Sequence, residues 1–327
     1  MKQDINIIWV GIILLSINIT GCVEESEPSP THIDESWLTI SDEEFDIGIT
    51  SISWSTDGNF LATTTFYANL IVFNTTNWQN AINLTGEDNP VGMISWSADG
   101  DKLASYCFDG SVRIWNTSTW VVDRVLIEND TAFYPYAWNF KGTMLASYIW
   151  GLREIRIWDT NTWEIVGIIN DMDEVDYISW SPDGNEIAFA IERAVYIYDT
   201  MNWNFKRKIS GFPYGPNYIS YSPGGDWFAA STGDGTVQIW NTITWVSNYS
   251  FSRYFGSSGK TLSWSPNGDK LALWANHSNV DILNTTSWQM VQQLRGHESQ
   301  IYDLTWSPDS SKIATAEDVI KIWNISQ

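Results

Sequence analysis

The hexapeptide "SWSPDG" at residues 179–184 decides the fold, because the chain repeats it along its whole length. Six looser copies are "SWSTDG" (53–58), "SWSADG" (95–100), "AWNFKG" (137–142), "SYSPGG" (220–225), "SWSPNG" (263–268) and "TWSPDS" (305–310). Their central aromatic residues lie at positions 54, 96, 138, 180, 221, 264 and 306, so successive copies are 41 to 43 residues apart. A fixed period of this length predicts a repeat architecture and overrides the two average domains that the chain length alone would favour.

Each period predicts four short antiparallel strands. In residues 175–210, the Pro-Asp-Gly turn is followed by Ile187, Phe189 and Ile191, which alternate with other residues as in a strand. The stretch "AVYIYDT" (194–200) predicts a third strand, and the more polar residues after Trp203 predict a fourth. Four short strands in about 40 residues are typical of a β-meander, the blade of a β-propeller.

A second signature ends the third strand of each unit and shows how the chain closes. It reads "IWDTNTW" at 157–163 and has five similar copies, whereas the seventh, "IWNISQ" (322–327), stops before its fourth strand. A fourth-strand segment without a unit of its own, "SWLTIS" (36–41), precedes the first unit and contains Trp37. We therefore expect an all-β, seven-bladed propeller of four-stranded antiparallel blades, in which this N-terminal strand joins the last blade and closes the ring.

The repeats resemble the WD-repeat β-propeller family over residues 36–327. The last unit carries the family's Gly-His pair at 296–297, the Trp-Ser-Pro-Asp turn and Ile-Trp-Asn in place of Trp-Asp. The resemblance implies a buried, structural hydrogen-bond tetrad in this unit, formed by His297, Thr315, Asp318 and Trp323. It also implies a scaffold that binds other proteins and has no catalytic residues.

The first 35 residues predict export and attachment to a membrane. An apolar run from Ile5 to Ile19 suits a secretory signal, and the sequence Ile19-Thr20-Gly21-Cys22 resembles the lipobox of prokaryotic lipoproteins, in which the cysteine is lipidated. We expect a signal peptide at 1–21, lipidation of Cys22, a flexible acidic stalk at 22–35 and the propeller at 36–327. The alternative is an uncleaved N-terminal anchor. In both cases the body lies outside the cytoplasm, attached to a prokaryotic membrane.

Composition excludes several functions. The net charge of −22 at pH 7 argues against nucleic acid, which requires clustered cations. Three histidines and two cysteines leave no obvious metal site, and no phosphate loop or nucleophile elbow is present. The acidic stretch "NDMDEVD" (170–176) could hold calcium, but it lacks the central Gly and terminal Glu of an EF-hand. We therefore expect no enzyme, no metal and no cofactor.

Strand order places the loops between units on one face, where sequence variation collects. Some of these loops are acidic and others are aromatic, which predicts that a basic partner protein or peptide with apolar anchors docks there. The candidate contact residues are Asp171, Asp173, Glu174, Asp176, Phe212, Tyr214, Tyr218, Tyr254 and Phe255. The alternative function is binding of a solute or glycan, in which the aromatic side chains stack on sugar rings; a propeller enzyme is less favoured. We expect a monomer.

Overall fold

The computed structural model describes residues 6–8, 33–34, 38–41, 48–65, 69–84, 91–126, 133–252, 262–275 and 278–325. In these ranges the chain forms thirty β-strands, numbered β1 to β30 in chain order, which are arranged in seven sheets. A search of the same ranges for a helix long and apolar enough to cross a membrane found none.

Each sheet is one blade, and its four strands follow one another from the channel to the rim. Blade 1 contains β4 (Ile49–Trp54), β5 (Phe60–Thr65), β6 (Leu70–Asn74) and β7 (Gln79–Leu84). Blade 2 contains β8 (Val91–Trp96), β9 (Lys102–Cys107), β10 (Val112–Asn116) and β11 (Val121–Leu126). Blade 3 contains β12 (Phe133–Trp138), β13 (Met144–Ile149), β14 (Glu154–Asp159) and β15 (Ile165–Ile169).

The remaining blades repeat this order. Blade 4 contains β16 (Val175–Trp180), β17 (Glu186–Ile191), β18 (Ala194–Asp199) and β19 (Phe205–Ser210). Blade 5 contains β20 (Pro216–Tyr221), β21 (Trp227–Thr232), β22 (Thr236–Asn241) and β23 (Ser247–Ser252). Blade 6 contains β24 (Leu262–Trp264), β25 (Lys270–Ala275), β26 (Asn279–Asn284) and β27 (Met290–Leu294). Blade 7 contains β28 (Asp303–Trp306), β29 (Lys312–Ala316), β30 (Ile320–Asn324) and β3 (Leu38–Ser41).

The N-terminal strand closes the ring, as the sequence predicts. β3 pairs antiparallel with β30, with Leu38 opposite Ile322 and Ile40 opposite Ile320. Two further N-terminal segments lie at outer edges: β1 (Asn6–Ile8) pairs with β3, and β2 (Ile33–Asp34) pairs parallel with β27. The seven-bladed architecture and its closure are therefore confirmed. The boundaries at residues 21 and 35 stay predictions, and Trp37 lies outside the described residues.

The first repeated turn is held by its own side chains. In blade 4 the Ser181 hydroxyl donates to Asp183 Oδ1 at 2.6 Å and accepts the amide of Glu186 at 2.8 Å. Gly184 has φ +78°, a left-handed conformation that side chains disfavour. The Ser-x-Asp-Gly pattern is repeated because the Ser and Asp side chains form the hydrogen bonds of the turn and the Gly adopts its positive φ.

The second repeated turn places a tryptophan in a strained conformation. The Trp163 amide bonds the Asp159 carbonyl at 2.7 Å, and the Asp159 carboxylate accepts the amide of Asn161 at 2.9 Å. Trp163 itself has φ +59°, and the tryptophans that end the other five copies have φ between +54° and +58°. Further along, the register of β14 and β15 shifts between Ile157 and Trp158, which leaves Val166 as the extra residue of a β-bulge.

Each of these left-handed tryptophans packs near the aromatic residue of the first turn of its own blade. Trp120 meets Trp96 edge to face with ring centroids 5.9 Å apart, and the pair Trp180–Trp203 repeats this at 6.3 Å. The first-turn tryptophan also binds the neighbouring blade, because Trp96 Nε1 donates to the Ser53 carbonyl at 3.1 Å. The two repeated motifs therefore form one packing unit within a blade and one link between blades.

We expect the left-handed conformation to reverse the usual order of alanine and glycine at position 120. Trp120→Ala loses the aromatic contacts and retains the backbone strain, so it should destabilise the fold by about 2–4 kcal/mol. Trp120→Gly should be milder by about 0.5–1 kcal/mol, since glycine adopts positive φ without penalty. Denaturant unfolding measures both. At Trp96, whose φ is not positive, the alanine variant should be the milder one, and the same order at both positions would contradict this account.

Candidate functional site

The first strands of the blades surround the channel, and their starts face the loops between blades. Side chains at these starts line a depression of about 120 Å³ at the axis, which we call the mouth. The residues of the mouth that bear on recognition are Tyr134, Asp176, Tyr177, Tyr218, Tyr302 and Asp303. They come from blades 3, 4, 5 and 7, so the mouth exists only in the closed ring.

Aromatic rings form a strip that leads from the rim of blade 2 into the mouth. Phe108 lies 5.9 Å from Tyr106, and Tyr106 lies 5.0 Å from Tyr134, as measured between ring centroids. Within the mouth, Tyr177 and Tyr218 are 4.2 Å apart. Burial and the neighbouring Tyr218 raise the pKa of Tyr177 well above its ordinary value, so its phenol stays protonated. We call the five residues Tyr106, Phe108, Tyr134, Tyr177 and Tyr218 the aromatic strip.

The two carboxylates of the mouth have different roles. Asp303 is buried, and its Oδ2 accepts the Ser51 hydroxyl at 2.9 Å and the Ile52 amide at 3.0 Å, which joins blade 7 to blade 1. Asp176 is exposed at the opposite side of the mouth. Partial burial, and then the charge of Glu174, raise the pKa of Asp176, so its ionised form lacks full solvation. A cation placed beside Asp176 would compensate for that loss.

The acidic candidates do not act as one cluster. Asp171, Asp173 and Glu174 are exposed, and Asp173 forms an ion pair with Arg153 of the same blade. Of these four candidates, Asp176 alone lines the mouth. The sequence predicted an acidic patch from composition, and the structure divides it into one residue at the mouth and three at the surface of the loop.

The aromatic candidates also separate. Phe212 is only 4% exposed and packs on Trp240 with ring centroids 5.5 Å apart, so its prediction as a contact residue is wrong. Its ring belongs to the core between blades 4 and 5, where burial of apolar surface is favourable. Tyr218 lines the mouth, and Tyr214 is 55% exposed beside it in the chain. Tyr254 and Phe255 lie outside the described residues.

Several residues of the site were missed because the prediction examined the loops and not the strands. The residues that line the mouth stand three or four positions before the repeated aromatic residue of their blade, as Asp176 and Tyr177 do before Trp180. Aligning the seven copies at this register would have found Tyr177 and Tyr134. Tyr106 and Phe108, on the next hairpin outward, carry no such signal.

The predicted tetrad of blade 7 forms with a different acid. His297 Nε2 lies 3.1 Å from the Thr315 hydroxyl, which also accepts the Trp323 indole N–H at 2.8 Å. Glu317 Oε1 lies 3.3 Å from His297 Nδ1, whereas Asp318 is exposed. The hairpin between β29 and β30 is short, with the Glu317 amide bonded to the Val319 carbonyl at 3.0 Å. Asp318 therefore occupies the tip of the turn, and the longer Glu317 side chain reaches inward.

Glu317 is the centre of a buried charge network. Lys321 Nζ lies 2.5 Å from its Oε1, and the amides of Glu298 and Ser299 donate to its Oε2 at 3.1 and 3.0 Å. Burial alone raises the pKa of Glu317, but the hydrogen bonds from His297, Lys321 and Ser299 outweigh it and lower the pKa to about 2. The carboxylate is therefore ionised at neutral pH and holds the loop before blade 7 in place.

The remaining predictions concern the cysteines and metal binding. Cys22 lies outside the described residues, so its lipidation stays a prediction. Cys107 is buried in β9. Among the described residues, no group of three or more His, Cys, Asp and Glu side chains is arranged to hold a metal ion.

Part of the chain is similar to a known protein family. Three stretches of the chain match the family model for the WD domain, G-beta repeat. They are residues 78–116, 204–241 and 288–324, and each runs from the outer strand of one blade to the third strand of the next. The chain is thus a seven-bladed propeller with WD40 repeats in three places. No curated protein shows significant similarity to it.

We expect the acid of the tetrad to be identifiable by mutation. Glu317→Gln should lower the free energy of unfolding by about 3 kcal/mol at neutral pH, because it breaks a buried ion pair. Asp318→Asn, one residue away and exposed, should change it by less than about 0.5 kcal/mol. Thermal or denaturant unfolding measures both values, and equal losses would contradict the assignment.

The stability that Glu317 contributes should depend on pH. Because the pKa of Glu317 is lowered in the folded state, its contribution to stability is complete above its ordinary pKa of 4.5. That contribution is lost as the pH falls toward 2, where the carboxylate becomes protonated. The difference between the wild type and Glu317→Gln should therefore shrink as the pH falls through this window.

Proposed function

We propose that this protein is a non-catalytic binding platform, held at the outer surface of a prokaryotic membrane, which docks a basic segment of a protein partner at the mouth of its channel. WD40 propellers commonly serve as protein-interaction scaffolds. The observation that carries the proposal is the mouth itself, where the carboxylate of Asp176 stands among the tyrosines of four blades.

The charge of the site favours a cationic side chain. An ionised Asp176 is under-solvated, and a Lys or Arg of the partner restores a charged hydrogen bond to it. The tyrosine rings add a second attraction, because the face of an aromatic ring binds cations. The net charge of −22 steers a basic segment toward the protein before contact.

Size and apolar surroundings define the rest of the partner. A depression of about 120 Å³ accommodates the end of one side chain and not a folded domain. Phe108, Trp150 and Tyr214, which lie in loops on the same face, are exposed and offer apolar surface for the neighbouring residues of the segment. The partner is therefore an extended peptide segment with a single buried cation and flanking apolar residues.

Attachment to the membrane is the second part of the proposal and rests on the sequence of the first 22 residues. The apolar run followed by Gly21-Cys22 supports lipidation at Cys22. The platform would then present its mouth to proteins outside the cytoplasm and close to the membrane.

We expect Asp176 to control binding of basic peptides. The probe is an array of peptides with one Lys or Arg among aromatic or aliphatic residues, and the affinity of the best binder is measured by calorimetry. Asp176→Asn should weaken it by about tenfold or more, equivalent to ~1.4 kcal/mol. The matched control is Asp173→Asn, which removes the same charge three residues away, outside the mouth, and should have little effect.

The binding should also depend on pH. The pKa of Asp176 is raised, so affinity should fall as the pH drops through a range above that of an ordinary aspartate. The other titratable groups nearby are Glu174, the buried Asp303 and the tyrosines, and Asp176→Asn should abolish the pH dependence in this range. Equal losses in Asp176→Asn and Asp173→Asn would contradict a site at the mouth. A protein that binds no peptide but binds glycans through Tyr177 and Tyr218 would favour the solute- or glycan-binding alternative.

The membrane attachment has its own test. Cys22→Ser should abolish incorporation of labelled fatty acid into the protein. An unchanged membrane fraction without fatty acid in the wild type would indicate the uncleaved anchor, because the apolar run is intact in both proteins.

A further inference from the structure

Ring closure does not remove the outer edge of a blade. In a closed propeller the outermost strand of each sheet still presents unpaired backbone groups, which proteins usually protect with charge or with another segment. The edge of blade 6 is covered by β2. The edge of blade 7 is covered by β1, which lies within the predicted signal peptide and would be removed with it. Four other outer strands carry polar or charged side chains and read QNAINL (β7), VVDRVL (β11), FKRKIS (β19) and SNYSFS (β23).

The outer strand of blade 3 is different. β15 reads IVGII and contains no polar side chain. Its residues Ile165, Val166 and Ile168 are 41%, 47% and 44% exposed. The strand is the last in its sheet, so one of its backbone edges has no neighbouring strand among the described residues. An exposed apolar edge of this kind is a site for pairing with another strand.

The sequence around this edge is almost symmetric about Gly167. It reads "EIVGIIN" from Glu164 to Asn170, so an antiparallel copy centred on Gly167 sets Val166 opposite Ile168 and Ile165 opposite Ile169. At each end Glu164 then faces Asn170, and a carboxylate can accept a hydrogen bond from the amide. Self-pairing therefore matches apolar with apolar side chains and avoids directly opposed charges, although each chain carries a net charge of −22.

Gly167 also fixes the centre of the strand against blade 4, next to the β-bulge at Val166. A Cβ at this position would stand 2.4 Å from Cε2 of Trp203, the left-handed tryptophan of blade 4. The strand is therefore packed against blade 4 at its centre, and its exposed side chains lie on either side of a fixed point. A rigid strand loses little conformational freedom when a second strand binds.

We propose that a second copy of this chain pairs antiparallel along β15, about a twofold axis at Gly167, so that the two blade 3 sheets join edge to edge. This proposal replaces the monomer expected from the sequence, because that expectation took no account of the outer strands. A single pair of five-residue strands is a small interface, so the association in solution is weak. If both copies are anchored in one membrane, as proposed above, their high local concentration strengthens it.

Sedimentation of the full chain tests the pairing, with Cys22→Ser introduced so that no lipid is attached. Between micromolar and near-millimolar concentrations we expect a reversible shift from monomer to dimer. Val166→Lys with Ile168→Lys should weaken the dimer at least about tenfold, because lysine at a pairing edge loses solvation. Each added lysine makes the chain less negative, so repulsion between the net charges cannot explain a loss.

The matched control is Val121→Lys with Val125→Lys on β11, which adds the same charge to exposed positions of a neighbouring outer strand and should leave the dimer unchanged. Unfolding temperatures of both variants verify that the fold is retained. Hydrogen exchange adds a local measurement, since those amides of β15 that do not bond β14 should become protected in the dimer. The proposal is overturned if the wild type stays monomeric at all concentrations, or if the β15 variant dimerises as well as the wild type. A monomeric wild type would indicate that this edge pairs with a strand of another protein.

Discussion

The ring depends on a hydrogen bond that joins four of the seven blades to the one before it. The tryptophan at the end of a first strand donates its indole N–H to the strand of the preceding blade, as Trp96, Trp138 and Trp306 do to the carbonyls of Ser53, Ser95 and Ser263 at 3.0 to 3.2 Å. The same indole packs edge to face on the left-handed tryptophan of its own blade. A buried N–H requires an acceptor, so this contact specifies the spacing between blades as well as stabilising it.

Blades 1, 5 and 6 depart from this link. In blade 6 the described residues provide no hydrogen-bond partner for Trp264 Nε1. The other two departures have a substitute. Blade 5 has Tyr221 instead of tryptophan, and its hydroxyl reaches Glu186 Oε2 of blade 4 at 3.0 Å. In blade 1, where the ring closes, the described residues provide no hydrogen-bond partner for Trp54 Nε1. There the buried Asp303 takes over, because it binds both the backbone and a side chain of β4. The closing junction is thus held by a carboxylate in place of an indole.

The sequence predicted those features that depend on the period and missed those that depend on where a side chain points. The seven turns, the shifted fourth strand and the closing pair Leu38–Ile322 follow from spacing, which the backbone must obey. Phe212 and Asp318 were assigned from composition and family position, but the direction of a side chain in a loop is set by local packing. A single residue of difference in a hairpin places Glu317 in the core and Asp318 in solvent. The mouth was only partly predicted, because its residues belong to strands of several blades that meet only after closure.

The two faces of the ring have different physical roles, and the first makes the second possible. On the turn face, the Ser-Asp hydrogen bond recurs in four blades and the tryptophan pair in five, so they fix the positions of these first strands. On the opposite face, the starts of those same strands carry residues that differ between blades, including Tyr177 and Tyr218. Because these side chains stand on strands and not on flexible loops, their 4.2 Å separation is set before any ligand arrives. Because the side chains of such a site are already ordered, little binding free energy is lost in ordering them. A depression for a single side chain can therefore discriminate between partners.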